Sequence, residues 1–312
     1  MLRSLGMELV LGVDAGGTGT RAVLAGPAGV IGRGQAGPGN PIAAGRAAIG
    51  AIAAAIRQAL GHRSPAGVRH GVLGLSGASA LHDPAVHDLF RDMWAGIGLT
   101  CPMIVVGDVL TAFAAGTAAA SGAVLIAGTG AIAARIDDFT VTRIADGLGW
   151  LLGDEGSGRW LGLRAVRAAA RDFGTGFAAR VAAHAGVGSC DELVRWAQAL
   201  PLDAIAALAP IVCDAARAAD PTATALVADA ARRLTRTLDS LGSPGPVVLA
   251  GSLLTADTPV REILLATLRA RGATVTLAGD PAEAAARLAV HLAENGNRPG
   301  IPQRFPAGPH PS

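Results

Sequence analysis

The 312-residue sequence contains no lysine and no tyrosine. Without lysine there is no P-loop, because that loop needs a Lys on the phosphates. The strand lysine of protein kinases and the Schiff-base nucleophile of pyridoxal enzymes are excluded for the same reason. A chain of this kind that handles nucleotide phosphates must use backbone amides, hydroxyls, arginine or a metal ion. Charge of one sign is also missing: 26 basic and 24 acidic side chains leave a formal net charge of +2. That balance gives no argument for a nucleic-acid partner. Six Phe and four Trp offer few surfaces on which bases could stack.

Cysteine is scarce, with Cys101, Cys190 and Cys213 alone in the chain. The count is odd and no pair has metal-ligand spacing, so neither a disulfide framework nor an iron–sulfur or zinc site is expected. A reducing, cytoplasmic location fits best. The opening residues have no secretory-signal pattern, and a start at Met1 or at Met7 leaves the first strand whole. One stretch, Val109 to Ile136, carries a single charge, Arg135, over a length that could span a bilayer. Gly116, Gly122, Gly128 and Gly130 interrupt it, and a buried helix, a turn and a strand account for it better. No membrane span is expected.

What is present is an Ala- and Gly-rich chain, 51% hydrophobic and 16% charged, long enough for two cored domains. Strand patterns at Glu8–Val13, Thr20–Ala25 and Val30–Ala36 predict a three-stranded meander. A helix is predicted over Ile42–Leu60, a strand over Val72–Leu75, a helix over Pro84–Trp94 and a buried strand over Met103–Val106. After Gly116 a similar order begins again, with strands at Ala123–Ala127, Ala131–Ile136 and Thr140–Ala145. Helices are then predicted over Gly158–Arg171, Asp191–Leu200, Ala204–Arg217, Thr222–Leu241 and Val260–Arg271. Strands at Val247–Ala250 and Thr274–Leu277 and a last helix at Ala282–Ala293 complete the pattern. Two halves that each open with strands around a Gly/Thr turn suggest an internal duplication within a mixed α/β architecture.

The turns are where chemistry can sit. In LGVDAGGTGTRAVLAG an acid and two glycines follow an apolar strand. Gly16 and Gly17 would let amides approach an anion, Thr18 and Thr20 add hydroxyls, and Asp14 is placed to hold a metal ion. A tight hairpin with Asp in its turn is the plainer alternative. VLIAGTGAIAARI repeats the arrangement with Gly128, Thr129 and Gly130. A third glycine feature, Gly251-Ser252, stands where a strand meets a helix, a usual place for ligands in α/β proteins.

Three acids are candidates. Asp108 ends the buried strand MIVVG and could be a helix cap or a general base. Asp154 and Glu155 lie in LLGDEGSGRW, where three surrounding glycines look more like a shaped site than a cap. The seven histidines are scattered and form no metal cluster. GLSGA around Ser76 only loosely matches a nucleophile elbow, and no His has the context of a serine hydrolase.

In order along the chain, DAGGTGTRA, GPGN, GLSGA, GDVLTA, AGTGAIAAR, GLGWLLGDEGSGRWLG and LAGS resemble the N-acetylglucosamine kinase-like group of the BadF/BadG/BcrA/BcrD ATPase family, within the actin–sugar kinase–heat-shock ATPase superfamily. The resemblance covers about residues 8–293, and GDEGSG-x-W is its most diagnostic element. It implies an α/β fold of two actin-like (ribonuclease H-like) lobes with a nucleotide cleft between them. The lobes would be residues 1–116 and 117–280, with a last helix, 281–294, packing back on the first and a disordered Pro-rich tail, 295–312.

The implied activity is transfer of the γ-phosphoryl group of ATP to a hexosamine hydroxyl, commonly the 6-OH. ATP and Mg²⁺ are the implied cofactors, and an amino sugar is the implied partner. Asp14, Gly16, Gly17, Thr18 and Thr20 would form the first phosphate loop, with Asp14 also at the metal. Gly128, Thr129 and Gly130 would form the second, and Gly251 and Ser252 would lie beside the adenosine. Asp108 would be the base. Asn40, Ser76, Gly77, Gly147, Leu148 and Asp154 would line the sugar with it. Similar kinases are often dimers, so a homodimer is the implied assembly.

Two departures concern the sugar. Leu148 stands where members similar to the animal kinases carry a Trp between glycines, and Trp150 follows instead. Ala131-Ile132 replaces their Ser-Asn after the second phosphate turn. The acceptor therefore stays open among N-acetylglucosamine, glucosamine, N-acetylmuramic acid and another hexose. The iron–sulfur branch of the family is disfavoured, since Cys101, Cys190 and Cys213 do not match its cluster ligands. The alternative within the fold is an ATPase, or a sugar or nucleotide sensor without sugar phosphorylation. A repressor-type sensor would carry a helix-turn-helix, for which the chain leaves no room before its first strand.

Overall fold

The structure, a computed structural model, describes residues 9–242, 245–294 and 304–305. It divides into two compact units, Met1–Ala118 with Gly279–Ser312, and Ala119–Ala278.

The first unit is built on β1 (Leu9–Ala15), β2 (Thr20–Gly26), β3 (Gly29–Ala36), β4 (Val68–Leu75) and β5 (Met103–Gly107). Its helices are α1 (Pro41–Ala44), α2 (Arg46–Leu60), α3 (Pro84–Ile97) and α4 (Asp108–Gly116). β1, β4 and β5 read as nearly unbroken apolar runs because helices cover both faces of the sheet. α2 and α3 bury Ile52, Ile56, Phe90 and Trp94 on one side.

The helix expected over Ile42–Leu60 is in fact two. Gly45 takes φ +54° and ψ −132°, a conformation no helix continues through, and separates α1 from α2.

The second unit repeats the plan with β6 (Gly122–Ala127), β7 (Ala131–Asp137), β8 (Thr140–Asp146), β9 (Val247–Ala250) and β10 (Val275–Leu277). Between β8 and β9 run α5 (Gly149–Leu152), α6 (Gly158–Arg171), α7 (Gly176–Ala185), α8 (Cys190–Ala199), α9 (Leu202–Ile205), α10 (Ala209–Arg217) and α11 (Pro221–Asp239). α12 (Ser252–Thr255) and α13 (Pro259–Ala270) follow β9. The expected helix over Ala204–Arg217 is broken by a 3₁₀ turn, Ala206–Leu208, ahead of Pro210 in the first turn of α10. Proline there has no amide to donate and crowds the carbonyl four residues back. α5 and α7 were not expected.

α14 (Pro281–Glu294) returns to the first unit. It is tied there by the Gly279 amide on the Ala115 carbonyl (2.9 Å) and by Arg287 on the Ala114 carbonyl (3.0 Å). Gly12 of β1 makes the contact possible, because a Cβ there would fall 2.1 Å from the Ala282 carbonyl oxygen. Of the tail expected to be disordered, β11 (Arg304–Phe305) pairs antiparallel with Ile104 and Met103, and the rest lies outside the described residues.

The two sheets share one topology. Their orders are β3-β2-β1-β4-β5, with β11 beyond β5, and β8-β7-β6-β9-β10. In each the first three strands are antiparallel neighbours and the last two are added parallel beside the first. This order makes the internal duplication plain where sequence similarity between the halves is slight. Among the described residues no helix is long and apolar enough to cross a membrane.

Candidate functional site

In the first unit the candidate residues gather where β1, β4 and β5 end. The Gly16 amide closes the first turn by donating to the Gly19 carbonyl (2.9 Å). Gly17 and Thr18 are exposed at the tip. Thr20 is buried and its hydroxyl donates to the Gly37 carbonyl (2.9 Å). It therefore holds the 37–40 loop, and the Gly39 amide donates to the Gly16 carbonyl (2.9 Å) from the same loop.

That loop delivers Asn40. Its Oδ1 accepts the amides of Ile42 (2.9 Å) and Ala43 (3.3 Å), capping α1, while its Nδ2 donates to Ser76 Oγ (3.4 Å). Ser76 follows β4, and its own amide donates to the Ala15 carbonyl (2.9 Å). The Ser76 hydroxyl in turn hydrogen-bonds the Asp108 carboxylate. Gly77 beside it is left-handed at φ +74°. The sequence thus converges from three segments on one acid.

Asp108 is the first residue of α4 and Gly107 is the cap, so the capping role weighed for Asp108 does not apply. Burial raises the Asp108 pKa above the ordinary carboxylate range, against the Ser76 hydroxyl and the amides of Val109 and Asp108 itself. Burial likewise pushes the Asp14 carboxyl up to about 7, helped by the charge of Asp108 and then of Asp280. Arg21, directly across the β1–β2 hairpin from Asp14, and a hydrogen bond with Thr111 oppose that rise. Thr111 also donates to the Asp108 carbonyl (2.9 Å). Two carboxylates that each resist ionisation are a place where a proton or a cation is welcome.

The second unit offers a turn at the matching place, one residue shorter and without the acids. The Gly128 amide closes it on the Gly130 carbonyl (2.9 Å), and α6 abuts it through Gly158 on the Gly128 carbonyl (2.7 Å) and Arg159 on that of Thr129 (3.2 Å). The Gly251-Ser252 feature stands against this turn. A Cβ on Gly128 would lie 3.5 Å from Ser252 Oγ. Gly251 itself has φ +82°, and a Cβ there would sit 2.4 Å from the Ala127 carbonyl oxygen, so no other residue fits.

Asp154 reaches the turn from the loop after β8. It is 7% exposed and left-handed at φ +56°. Its Oδ1 accepts the Ala131 amide (3.0 Å) and its Oδ2 faces Arg159 (3.4 Å). Burial raises its pKa, and the Ala131 amide and Arg159 hold the rise back. Glu155 instead pairs with Arg233, whose guanidinium lies 5.0 Å over the Trp160 ring. Gly147 donates to the Ala131 carbonyl (3.0 Å), and Leu148 beyond it is 65% exposed.

Sequence reasoning did not find Arg21, Thr111, Asp146, Arg159 or Asp280. Arg21 becomes visible once the hairpin register is fixed, and Thr111 is one helical turn beyond Asp108. Asp280 carries no local signal at all. No group of three or more His, Cys, Asp or Glu able to hold a metal occurs among the described residues. The donor set still fits Mg²⁺, which binds through one or two carboxylates and takes its remaining ligands from phosphates and water. Asp14 is such a hard oxygen donor.

A model of the BadF/BadG/BcrA/BcrD ATPase family matches residues 11–282. An N-acetylmuramic acid/N-acetylglucosamine kinase of Clostridium acetobutylicum is 33% identical over 101 residues, 32% of this chain and 32% of that protein. The stretch thus spans about a third of each. A solved structure from Chromobacterium violaceum, provisionally named an N-acetylglucosamine kinase, is 29% identical with a TM-score of 0.72, over 90% of this chain and 99% of that one. A glucokinase of the ROK family from Streptomyces griseus, solved with glucose and AMPPNP, matches in fold at 20% identity and TM-score 0.60, over 91% and 99% of the chains. The fold is that of the two-lobed, actin-like sugar kinases. By a family match that runs from the first strand to the start of α14, the chain belongs to the BadF/BadG/BcrA/BcrD ATPase family.

Proposed function

We propose that this protein is an ATP-dependent amino-sugar kinase that phosphorylates a hexosamine, N-acetylglucosamine or glucosamine, at its 6-OH. The observation that carries the reading is the Asn40–Ser76–Asp108 chain, ending on a carboxylate with raised proton affinity. A base of that kind takes a proton from a hydroxyl readily, which a nucleotide sensor has no use for. The kinase names borne by the Clostridium acetobutylicum and Chromobacterium violaceum relatives support the same choice.

In the reaction the acceptor hydroxyl oxygen forms a bond to the γ-phosphorus as the bond from that phosphorus to the β,γ-bridging oxygen breaks. The hydroxyl proton passes to Asp108, ADP leaves with the bond electrons, and Asp108 later releases its proton to water. Ser76 orients the base, and Asn40 orients Ser76. Held by Asp14, Mg²⁺ would offset phosphate charge. Amides of the Gly17-Thr18 tip and of the Gly128–Gly130 turn would donate to phosphate oxygens, and Gly251-Ser252 would border the adenosine. Phosphoryl transfer asks mainly for positioning and charge stabilisation, so a site without lysine is adequate. Gly147, Leu148 and Asp154 would meet the sugar. The three free cysteines fit a cytoplasmic protein, and a homodimer is the assembly that goes with this reading.

The test is ADP release with ATP and Mg²⁺ over N-acetylglucosamine, glucosamine, N-acetylmannosamine, N-acetylmuramic acid and glucose. Sugar-dependent release that collapses in Asp108→Asn supports the kinase and identifies its acceptor. Release without sugar points to an ATPase, and nucleotide binding without any release to a sensor.

A further inference from the structure

We infer that Asp146 is a positioning residue that sets Asp154 and Leu148 for the acceptor, a role that rests on the kinase reading. β8 ends at Asp146, which turns the chain with φ +62°. Both of its carboxylate oxygens then reach across the loop. Oδ1 accepts the Asp154 amide at 2.7 Å and Oδ2 the Glu155 amide at 2.8 Å, eight and nine residues on. The clasp is tight: a Cβ on Gly153 would lie 2.1 Å from Asp146 Oδ1, so a side chain there would push the carboxylate aside.

The clasp fixes two neighbours. Asp154 is held in a left-handed conformation, which Asp adopts more readily than most non-glycine residues. Pinned there, its carboxylate spans the Ala131 amide and Arg159 and keeps lone pairs for a further donor. At the other end of the loop, Gly147 bonds the carbonyl of the same Ala131. Leu148, Trp150, Leu151 and Leu152 are thereby presented largely to solvent on a short, fixed arc. The clasp also brings the like charge of Asp146 near Asp154, where it raises the Asp154 pKa. Two left-handed non-glycine residues and two neighbouring carboxylates in one loop are a poor arrangement for stability alone. Backbone of this sort gathers where a site must be pre-formed.

The experiment compares wild type with Asp146→Ala, Asp146→Asn and Glu155→Ala in sugar KM, ATP KM, kcat and thermal midpoint. Asp146→Ala is expected to raise the sugar KM roughly 10–100-fold and leave the ATP KM within about twofold, because misplacing a contact by an ångström costs that much. Asp146→Asn keeps one acceptor oxygen and should recover part of the loss. Glu155→Ala breaks the Arg233 pair without opening the clasp, so it should lower the midpoint and leave the sugar KM alone. A sugar KM unmoved in both Asp146 variants overturns the proposal, as does a rise in both KM values together. If Asp146→Ala does not fold, Asp146→Asn alone decides between these outcomes. A wild type that turns over no sugar sinks the kinase reading itself, a result distinct from either.

Discussion

The two units carry the same five-stranded sheet, yet they spend it differently. In the first, β3 is joined to β4 by residues 37–67, and the acids Asp14 and Asp108 stand at the ends of strands. In the second, residues 147–246 join β8 to β9, and the acid Asp154 comes from the connection instead. The carboxylates of Asp14 and Asp108 are half-buried, each met by a hydroxyl and, at Asp14, by the charge of Arg21, whereas the more fully buried Asp154 has an amide and an arginine on its two oxygens. One copy of the fold keeps reactive charge at its strand ends. The other has glycines rather than acids where β6 and β9 end, and carries its long connection after β8. Two copies of one sheet can therefore differ in where they carry their acids.

The comparison breaks first at Asp108. Asp108→Asn should lower kcat on the order of 10²–10⁴-fold while leaving the thermal midpoint close to wild type, read by steady-state kinetics and calorimetry. A loss of less than tenfold would remove the first unit's claim to the chemistry.

Next in size is Gly251→Ala in the second unit. A Cβ overlapping the Ala127 carbonyl at positive φ should cost at least ~2 kcal/mol of stability in denaturant unfolding and weaken ATP binding with it.

A smaller effect sharpens the electrostatic contrast. The Asp14 pKa is raised from 3.8 to about 7 in the folded chain, so folding gains from its proton below pH 3.8 and loses that gain as pH climbs toward 7. Asp14→Asn should flatten that decline and be more stable than wild type at pH 8 by ~1–2 kcal/mol, although inactive. Denaturation midpoints of the pair between pH 4 and 8 will show the gap widening with pH, or refute it.

The smallest effect is expected at Gly17, where an added Cβ meets nothing within 4 Å. Gly17→Ala should leave the melting temperature almost unchanged yet raise the ATP KM several-fold by crowding an incoming phosphate. An unmoved KM would reduce the first turn to an ordinary hairpin.

Much of this was legible in the sequence because the signals are short. An acid and glycines after an apolar run mark a strand and its turn, and GDEGSG before Trp160 marks the start of α6. Helix boundaries failed where a single residue overrides periodicity, as at Gly45 and Pro210. α7 was missed because an Ala-rich stretch shows little contrast between its faces. The surroundings of the acids were hidden for another reason. Asp280 approaches Asp14 only through the return of α14, and Asp146 meets Asp154 only through a loop whose shape depends on backbone left-handedness. Long-range charge and positive φ leave almost no trace in residue order.

The return of α14 also bears on how the chain is made. The second unit is one continuous stretch, whereas the first is completed by residues that follow the whole of the second along the chain. Until α14 emerges, the face of β1 that receives it at Gly12 has no cover, and the nascent first unit cannot close its core. Of the two units, the one that comes earlier in the chain is thus completed later.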